Sequence, residues 1–426
     1  MKILLLGSGG REHALAWKLA QSPLCSALHI APGNAGTAQC GTNIDLSPLD
    51  FEGIRRHCTA EGIEMVVVGP EEPLVKGIVD YFAGDPSLRG IPVIGPSAAA
   101  AQLEGSKAFS KKFMDRYGIP TAAYREFNND NFTEGIAYLQ QHSLPIVLKA
   151  DGLAAGKGVV ICQNPVEAVA EFELMLQGNK FGVAGNKVVV EEFLTGIEVS
   201  VFVLLDGRDF VILPEAKDYK RAYEGDKGPN TGGMGAVSPV PFADVGFMDK
   251  VTERIIIPTV NGLKAEGIEY KGFLFVGVIK VGDDPFVIEY NCRMGDPETE
   301  VVMPRLSNDL VELFNAVSGQ TLREIRIRQE PRMACTIVAV SGGYPGHYEK
   351  GLPITGLDQP MPGDSLIFHA GTRTDREAVV TNGGRVLCVT SFADTVYEAV
   401  DKSRDVLDHI HYEGIYYRRD IGFEFL

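Results

Sequence analysis

The sequence predicts an α/β and α+β protein: an N-terminal doubly wound open sheet, a central α+β unit and a C-terminal β-rich unit. Three observations predict this. The first hundred residues alternate short apolar runs with helical stretches. The middle mixes strands with long polar loops. The last hundred are rich in β-branched runs and glycine turns. The chain has 426 residues, enough for three domains at roughly 150 residues each. Composition shifts place them at 1–103, 104–327 and 328–426, the last boundary in the polar stretch Arg328-Gln329-Glu330-Pro331.

In the first unit, Ile3–Leu6 is a continuous apolar run suited to a buried parallel strand. A glycine turn follows, then a helix from about Arg11 to Ala20. Leu28–Ala31, Met65–Val68 and Val93–Ile94 repeat the pattern, each followed by Gly or Pro. Ligands of such sheets bind at the carboxyl ends of strands. Those ends are Gly7-Ser8-Gly9-Gly10, Pro32-Gly33-Asn34 and Gly69-Pro70-Glu71. A dinucleotide fingerprint needs G-x-G-x-x-G and an acid on the second strand. Gly7 and Gly9 fit, but Glu12 holds the third position and the second strand ends in Ala31-Pro32-Gly33-Asn34. A glycine-flanked helix N-terminus still suits the anion of a small phosphorylated substrate, and a plain tight turn explains it equally well. His13 is expected to be structural.

In the second unit a helix containing Lys107 leads to Tyr117 and ends at Gly118-Ile119-Pro120. "VLKADGLAAGKGVVIC" then runs from Val147 to Cys162. It is not a P-loop, because Asp151 stands where the first glycine belongs and Gly158 where the Ser/Thr belongs. Val159-Val160-Ile161 reads as a strand, so the glycines and Lys157 form a hairpin tip. Such a tip is either a phosphate-holding loop or an ordinary hairpin with an exposed lysine. A helix at Pro165–Leu176 and strands at Lys187–Glu192 and Val199–Leu205 follow. A glycine-rich loop covers Gly225–Pro239, and "GFLFVGVIKV" and "PFVIEYN" are two more strands.

After the strand ending near Glu191, the residues to Leu194 can offer backbone groups to a base, and Glu198 can accept a ribose hydroxyl. "VIEYNCRMGDPETE" is the most informative stretch. Strand alternation puts Glu289 and Asn291 on one face, Ile288 and Tyr290 on the other. Two oxygen ligands spaced this way suit Mg2+ bound to substrate phosphates. Arg293 continues the face and can neutralise a transferring phosphoryl group. The alternative is a solvated strand face.

In the third unit Arg332–Val340 and Arg385–Thr390 are β-rich, with "SGGYPG" and "TNGGR" as turns. The net charge is −16, which argues against a nucleic-acid partner. No stretch approaches the ~20 apolar residues of a membrane helix. Seven scattered cysteines without C-x-x-C fit a reducing cytoplasm. The short N-terminal apolar run reads as a strand rather than a signal peptide.

Lys107, then Lys149 with its glycine loop, then Glu191 and Glu198, then Glu289-x-Asn291-x-Arg293 resembles the ATP-grasp superfamily. More narrowly, "GSGGREHALAWKL", "APGNAGT", "GPEEPLVKGIVD", "QLEGSKAF", "IVLKADGLAAGKGV", "KDYKRAYEGDKGPNTGGMGA", "EYNCRMGDPETE" and "TNGGRVL" resemble the phosphoribosylamine–glycine ligase family over essentially the whole chain. The resemblance implies a two-lobed ATP-grasp domain with a lid at about 121–192. It implies ligation of glycine to 5-phosphoribosylamine, through glycyl phosphate, in purine synthesis. ATP would meet Lys107, Lys149, Gly156, Lys157, Glu191, Phe193, Leu194 and Glu198. Mg2+, with Mn2+ as an alternative, would sit on Glu289 and Asn291. Lys149, Lys157 and Arg293 would act on the transferring group. Gly9, Gly10, Asn34, Asp218, Lys220, Arg221, Gly232, Gly233, Arg293, Gly295 and Asp296 would serve the other substrates. A monomer is expected, with a homodimer as the alternative. Unlike many superfamily members, the chain has no acid on "GFLFVGVIKV" for a second metal. The rival readings are another ATP-grasp ligase or carboxylase, a nicotinamide oxidoreductase and a non-catalytic nucleotide sensor.

Overall fold

A computed structural model describes residues 1–152, 158–178 and 186–425. Its N-terminal sheet is parallel, in the order Thr42–Asn43, Ala27–Pro32, Lys2–Gly7, Met65–Val68, Val93–Ile94. Leu5 pairs with Ile30 on one side and Val67 on the other. The central strand is apolar throughout because both faces are covered. Ile3 and Leu5 pack with Leu15 and Leu19 of the helix Gly10–Ala20. Leu4 and Leu6 pack with Ile54 and Cys58 of the helix Phe51–Glu61. Strand order reverses at Lys2–Gly7, which puts the ligand crevice of such folds beside Gly7 and Gly69.

Two antiparallel sheets follow. One runs Tyr124–Asn128, Lys187–Glu192, Ile146–Ala150, Val159–Cys162 and packs on the helices Phe132–Gln141 and Pro165–Leu176 around Phe127, Leu148, Phe172 and Val190. The other runs Phe210–Ile212, Ile197–Asp206, Lys271–Val281, Asp284–Asn291. Its last two strands carry a bulge. Gly277 pairs with Glu289 and Val278 with Val287, so Ile288 is left out of register.

The third sheet runs Lys217–Asp218, Gly235–Ser238, Met333–Val340, Arg385–Ala393, Ser365–His369, and the helix Val396–Leu407 packs on it. Its first two strands come from before residue 328, so the sheet crosses the boundary drawn from composition. The stretch 225–239, expected to be a loop, contains the strands Lys227–Asn230 and Gly235–Ser238. Gly233 makes the turn between them possible. Its φ is 124°, and a Cβ there would lie 2.4 Å from Pro297 Cδ. Among the described residues no helix is long and apolar enough to cross a membrane.

Candidate active site

The ATP-side residues converge where the two antiparallel sheets meet. Lys149 and Glu191 lie on neighbouring strands, and Lys149 Nζ is 2.9 Å from Glu191 Oε2. Lys149 also donates to the Ile288 carbonyl at 3.0 Å. The other Glu191 oxygen is 3.2 Å from Lys111 Nζ. All three side chains are buried. Lys111 sits one turn after Lys107 on the helix Lys107–Arg116, where positions four apart share a face. Burial, only partly offset by Glu191, pulls its pKa down to about 8. Lys107 is less engaged; its Nζ reaches the Glu104 carbonyl at 3.4 Å.

The bulge changes the expected face pattern of the strand Asp284–Asn291. Ile288 and Glu289 line one small recess together, with Glu198, Ser200 and Lys220. Ile288 therefore does not oppose Glu289; the extra residue shifts the alternation by one. Tyr290 does point away, into the core, with its hydroxyl 2.7 Å from Thr259 Oγ1. Among the described residues no hydrogen bond or ion pair reaches the Glu289 carboxylate. Burial opposes its ionisation, yet Lys107, Lys220, Lys149 and Arg293 hold its pKa below the ordinary carboxylate value. An ionised, unpaired carboxylate and the Asn291 amide oxygen two residues on fit a hard divalent cation. No cluster of three His, Cys, Asp or Glu is placed for a metal among the described residues, so further ligands would be phosphate oxygens and water.

Arg293 is held by carboxylates, 2.9 Å from Glu104 and 3.3 Å from Glu71. Glu104 also accepts from the Cys292 N–H at 2.8 Å, which fixes the end of the strand Asp284–Asn291. Glu198 is 2.9 Å from Lys220, and that lysine lowers its pKa. Phe193 is exposed and Leu194 half-buried between the strands Lys187–Glu192 and Ile197–Asp206. Gly156 and Lys157 lie outside the described residues. An open groove along Met114, Asp115 and Gly118–Glu126 is lined by none of these charged groups.

The N-terminal glycine turn is different. Gly9 N–H donates to Glu12 Oε2 at 2.7 Å, Arg11 Nε to Glu12 Oε1 at 2.6 Å, and Arg11 N–H to Asp296 Oδ2 at 3.4 Å. The helix N-terminus expected to hold an anion thus faces two carboxylates of its own chain. A Cβ on Gly10 would lie 2.3 Å from Glu300 Oε1. The Asn34 amide donates to Ser8 O at 2.9 Å and His369 O at 2.7 Å, and accepts from Gly36 and Thr37 N–H. It bridges the N- and C-terminal units. His13 accepts from His369 N–H at 2.7 Å, and burial, then His369, pulls its pKa to about 3, in keeping with a structural role.

Asp296, Gly232 and Gly233 do come together. Arg385 Nη1 is 3.0 Å from Asp296 Oδ1 and donates to Gly232 O at 3.0 Å. Gly295 leaves room for Glu298, whose Oε2 would be 2.4 Å from a Cβ there. Ser200 donates to Glu298 at 3.0 Å. Burial and then Asp218 push Glu298 up to about 7. Arg221 is turned onto its own hairpin, donating to Gly228 O at 2.8 Å. The sequence reading missed Lys111, Glu104, Glu298 and Arg385. The four-residue spacing from Lys107 and the TNGGR turn were available signals for Lys111 and Arg385.

Models of three domains of phosphoribosylglycinamide synthetase match in order: the N domain over 1–104, the ATP-grasp (A) domain over 105–299 and the C domain over 334–424. The chain belongs to the phosphoribosylglycinamide synthetase family. It is an ATP-dependent carbon–nitrogen ligase of the ATP-grasp fold. It is 48% identical to the phosphoribosylamine–glycine ligase of Vibrio cholerae, over 99% of this chain and 98% of that one. The Escherichia coli phosphoribosylamine–glycine ligase is likewise 48% identical at the same coverage. The solved phosphoribosylamine–glycine ligase of Thermotoga maritima superposes with a TM-score of 0.84 at 37% identity, covering 99% of this chain and 100% of that one. The biotin carboxylase domain of Hydrogenobacter thermophilus 2-oxoglutarate carboxylase has a TM-score of 0.73 at 19% identity, covering 97% and 91%; it shares the fold.

Proposed function

We propose that the chain joins glycine to 5-phosphoribosylamine at the expense of ATP, giving glycinamide ribonucleotide, ADP and phosphate. The observation that carries this reading is the ordered match of all three family domains along one chain. In the first step glycine's carboxylate oxygen attacks the γ-phosphorus and the bond to ADP breaks. An anion must approach a polyanion there. Lys107, Lys149 and Arg293 offset that charge, in a site where alignment does most of the remaining catalysis. Mg2+, or Mn2+ in its place, would be held by Glu289 and Asn291 and would supply positive charge to the phosphates. The MgADP bound in the Hydrogenobacter relative of the same fold supports a metal–nucleotide.

Phe193, Leu194 and Glu198 take the adenosine. Glu191 acts through Lys149, which it pairs, and its backbone lies beside the base. The segment 121–192 closes as a lid, because glycyl phosphate is readily hydrolysed, and Gly156 and Lys157 serve the ATP phosphates as the family resemblance implies. Asp218, Lys220, Arg221, Gly232, Gly233, Gly295 and Asp296 form the glycine and acceptor region. Gly9, Gly10 and Asn34 shape its N-terminal wall. There the amine of phosphoribosylamine attacks the acyl carbon, the C–N bond forms, phosphate leaves and the amine loses a proton. The seven free cysteines suit a reducing cytoplasm, and we take the working unit to be a monomer.

The test is ADP release from Mg-ATP and glycine, with and without phosphoribosylamine generated in place from ribose 5-phosphate and ammonia. Turnover should require both substrates and yield glycinamide ribonucleotide. Turnover indifferent to either would sink this acceptor assignment.

A further inference from the structure

Side chains alternate along the strand Lys217–Asp218 and the residues after it. On one side Lys220 meets Glu198 in the recess. On the other, Lys217 and Tyr219 end on a single carboxylate from the C-terminal tail. Lys217 Nζ is 2.8 Å from Glu424 Oε1, and the Tyr219 hydroxyl donates to Glu424 Oε2 at 2.8 Å. The buried Tyr219 ring lies between two cations, 4.0 Å from Lys217 Nζ and 5.6 Å from Arg418 Cζ. Arg418 is fully buried. It donates to Arg221 O at 3.1 Å and pairs with Asp226 at 2.7 Å and Asp420 at 2.8 Å. Asp420 in turn accepts from Gly225 N–H at 2.7 Å. Residues 418–424 therefore grip the segment 217–226 along its back.

The grip matters because it fixes side chains that the backbone pairing alone leaves free to turn. The strand pairs Lys217 with Val237 and Asp218 with Ala236, and the bonds from Tyr219 N–H to Gly235 O at 3.0 Å and from Met234 N–H to Tyr219 O at 2.7 Å hold the backbone beyond it. A charge-assisted two-point contact is much stronger than one neutral hydrogen bond. Without it the Lys217 ammonium, 9% exposed, and the Tyr219 hydroxyl would lack their shared partner.

We propose that Glu424 is a positioning residue for the acceptor site: by clamping Lys217 and Tyr219 from behind, it sets the orientation of Asp218 and Lys220 toward glycine and phosphoribosylamine. This rests on the substrate roles given above to Asp218 and Lys220. None of the ATP-side residues bonds to the tail residues 418–424 among the described residues; Glu198 meets the clamped segment only through Lys220.

The test compares Glu424→Ala, Glu424→Gln, Tyr219→Phe and Asp218→Asn in the full chain, with KM measured for each substrate and thermal unfolding as the fold control. Glu424→Ala should raise the KM for glycine or phosphoribosylamine on the order of tenfold, with the ATP KM within about twofold. Glu424→Gln, which keeps the tyrosine bond, should recover part of the loss, and Tyr219→Phe should show a smaller change of the same kind. If Glu424→Ala changes all three KM values alike, or none, the positioning role falls. If Asp218→Asn leaves both acceptor-side KM values unchanged, the substrate reading falls instead. Should Glu424→Ala not fold, the other two clamp variants decide, and normal acceptor-side KM values in both overturn the proposal.

Discussion

At the front of the helix Gly10–Ala20, the chain pairs its own buried charges: Glu12 takes Gly9 N–H and the Arg11 guanidinium, and Asp296 takes Arg385. In the recess below the strand Asp284–Asn291, Glu289 is surrounded by cations and bonded to none of them among the described residues. Both regions lie at strand ends near glycines, and both looked like anion or metal sites in the sequence. On the function proposed above, the difference separates a junction from a reaction site. Matched buried charges hold parts together, whereas a charge left unmatched in a strong field is prepared for a partner from outside.

Removing one charge from each region should break them differently. Glu12→Ala leaves the Arg11 guanidinium and Gly9 N–H without their carboxylate, and Arg11 is only 8% exposed. Loss of one partner of a buried pair costs about 3–5 kcal/mol, which urea unfolding would resolve. A loss below about 1 kcal/mol, the range of a surface pair, would remove the structural reading of the turn. Glu289→Gln should instead lower kcat/KM for Mg-ATP on the order of 100-fold and raise the Mg2+ needed for half activity. Its unfolding midpoint should stay close to that of the unaltered chain, because no direct bond is cut. An unchanged Mg2+ titration would take Glu289 out of the metal site.

This contrast also marks what the sequence could reveal. Local patterns were legible. The helix Pro165–Leu176 begins as read because Asn164 caps it, accepting from Glu167 N–H at 2.9 Å, and proline suits the first turn. The apolar run Met65–Val68 and the valine-centred strand Lys187–Glu192 end where the sequence predicts. The strand Gly235–Ser238 was hidden, because its glycine-rich sequence becomes a strand only by pairing with Met333–Val340, about a hundred residues on. The Ile288 bulge was hidden for the same reason: strand alternation is readable from one strand, but register belongs to two. The residue types of the site were legible from motif order. Their engagement was not, since nothing local says that Glu12 fills its own helix terminus while Glu289 stays unpaired.

Lys111 sharpens the comparison, because it is a buried matched charge placed inside the proposed reaction site. With Lys149 it holds Glu191 from both sides. Lys111→Met should leave Glu191 to Lys149 alone and raise the ATP KM by about tenfold, in line with losses on removing groups that orient a ligand-binding side chain. Burial first, opposed by Glu191, lowers the lysine's pKa to about 8. The unaltered enzyme should therefore show an ATP KM that climbs above about pH 8, and Lys111→Met should lack that climb. The stability sign is opposite. Between about 8 and the ordinary lysine value the unfolded chain binds the proton and the folded one does not, so this group's contribution to stability grows with pH. Parallel ATP KM profiles for the two proteins would separate Lys111 from the nucleotide site.

The smallest effect concerns Glu298, whose carboxyl is met by the Ser200 hydroxyl and its own backbone N–H. Burial, then the neighbouring Asp218, raises its pKa to about 7, and Ser200 supplies its side-chain hydrogen bond at 3.0 Å. A carboxyl raised in this way is protonated in the folded chain and ionised in the unfolded one over the window from its ordinary pKa to about 7. The folded state then binds more protons, so stability from this group is present at low pH and is lost as pH rises through about 7. Glu298→Gln keeps the neutral shape and removes the titration. Its melting temperature should fall less steeply than that of the unaltered chain between pH 5 and 7.5, by a few degrees at roughly 2–4 °C per kcal/mol. Coincident slopes would mean that Glu298 ionises as an ordinary surface glutamate does, and that the acceptor side of the site, like the ATP side, keeps its carboxylates charged.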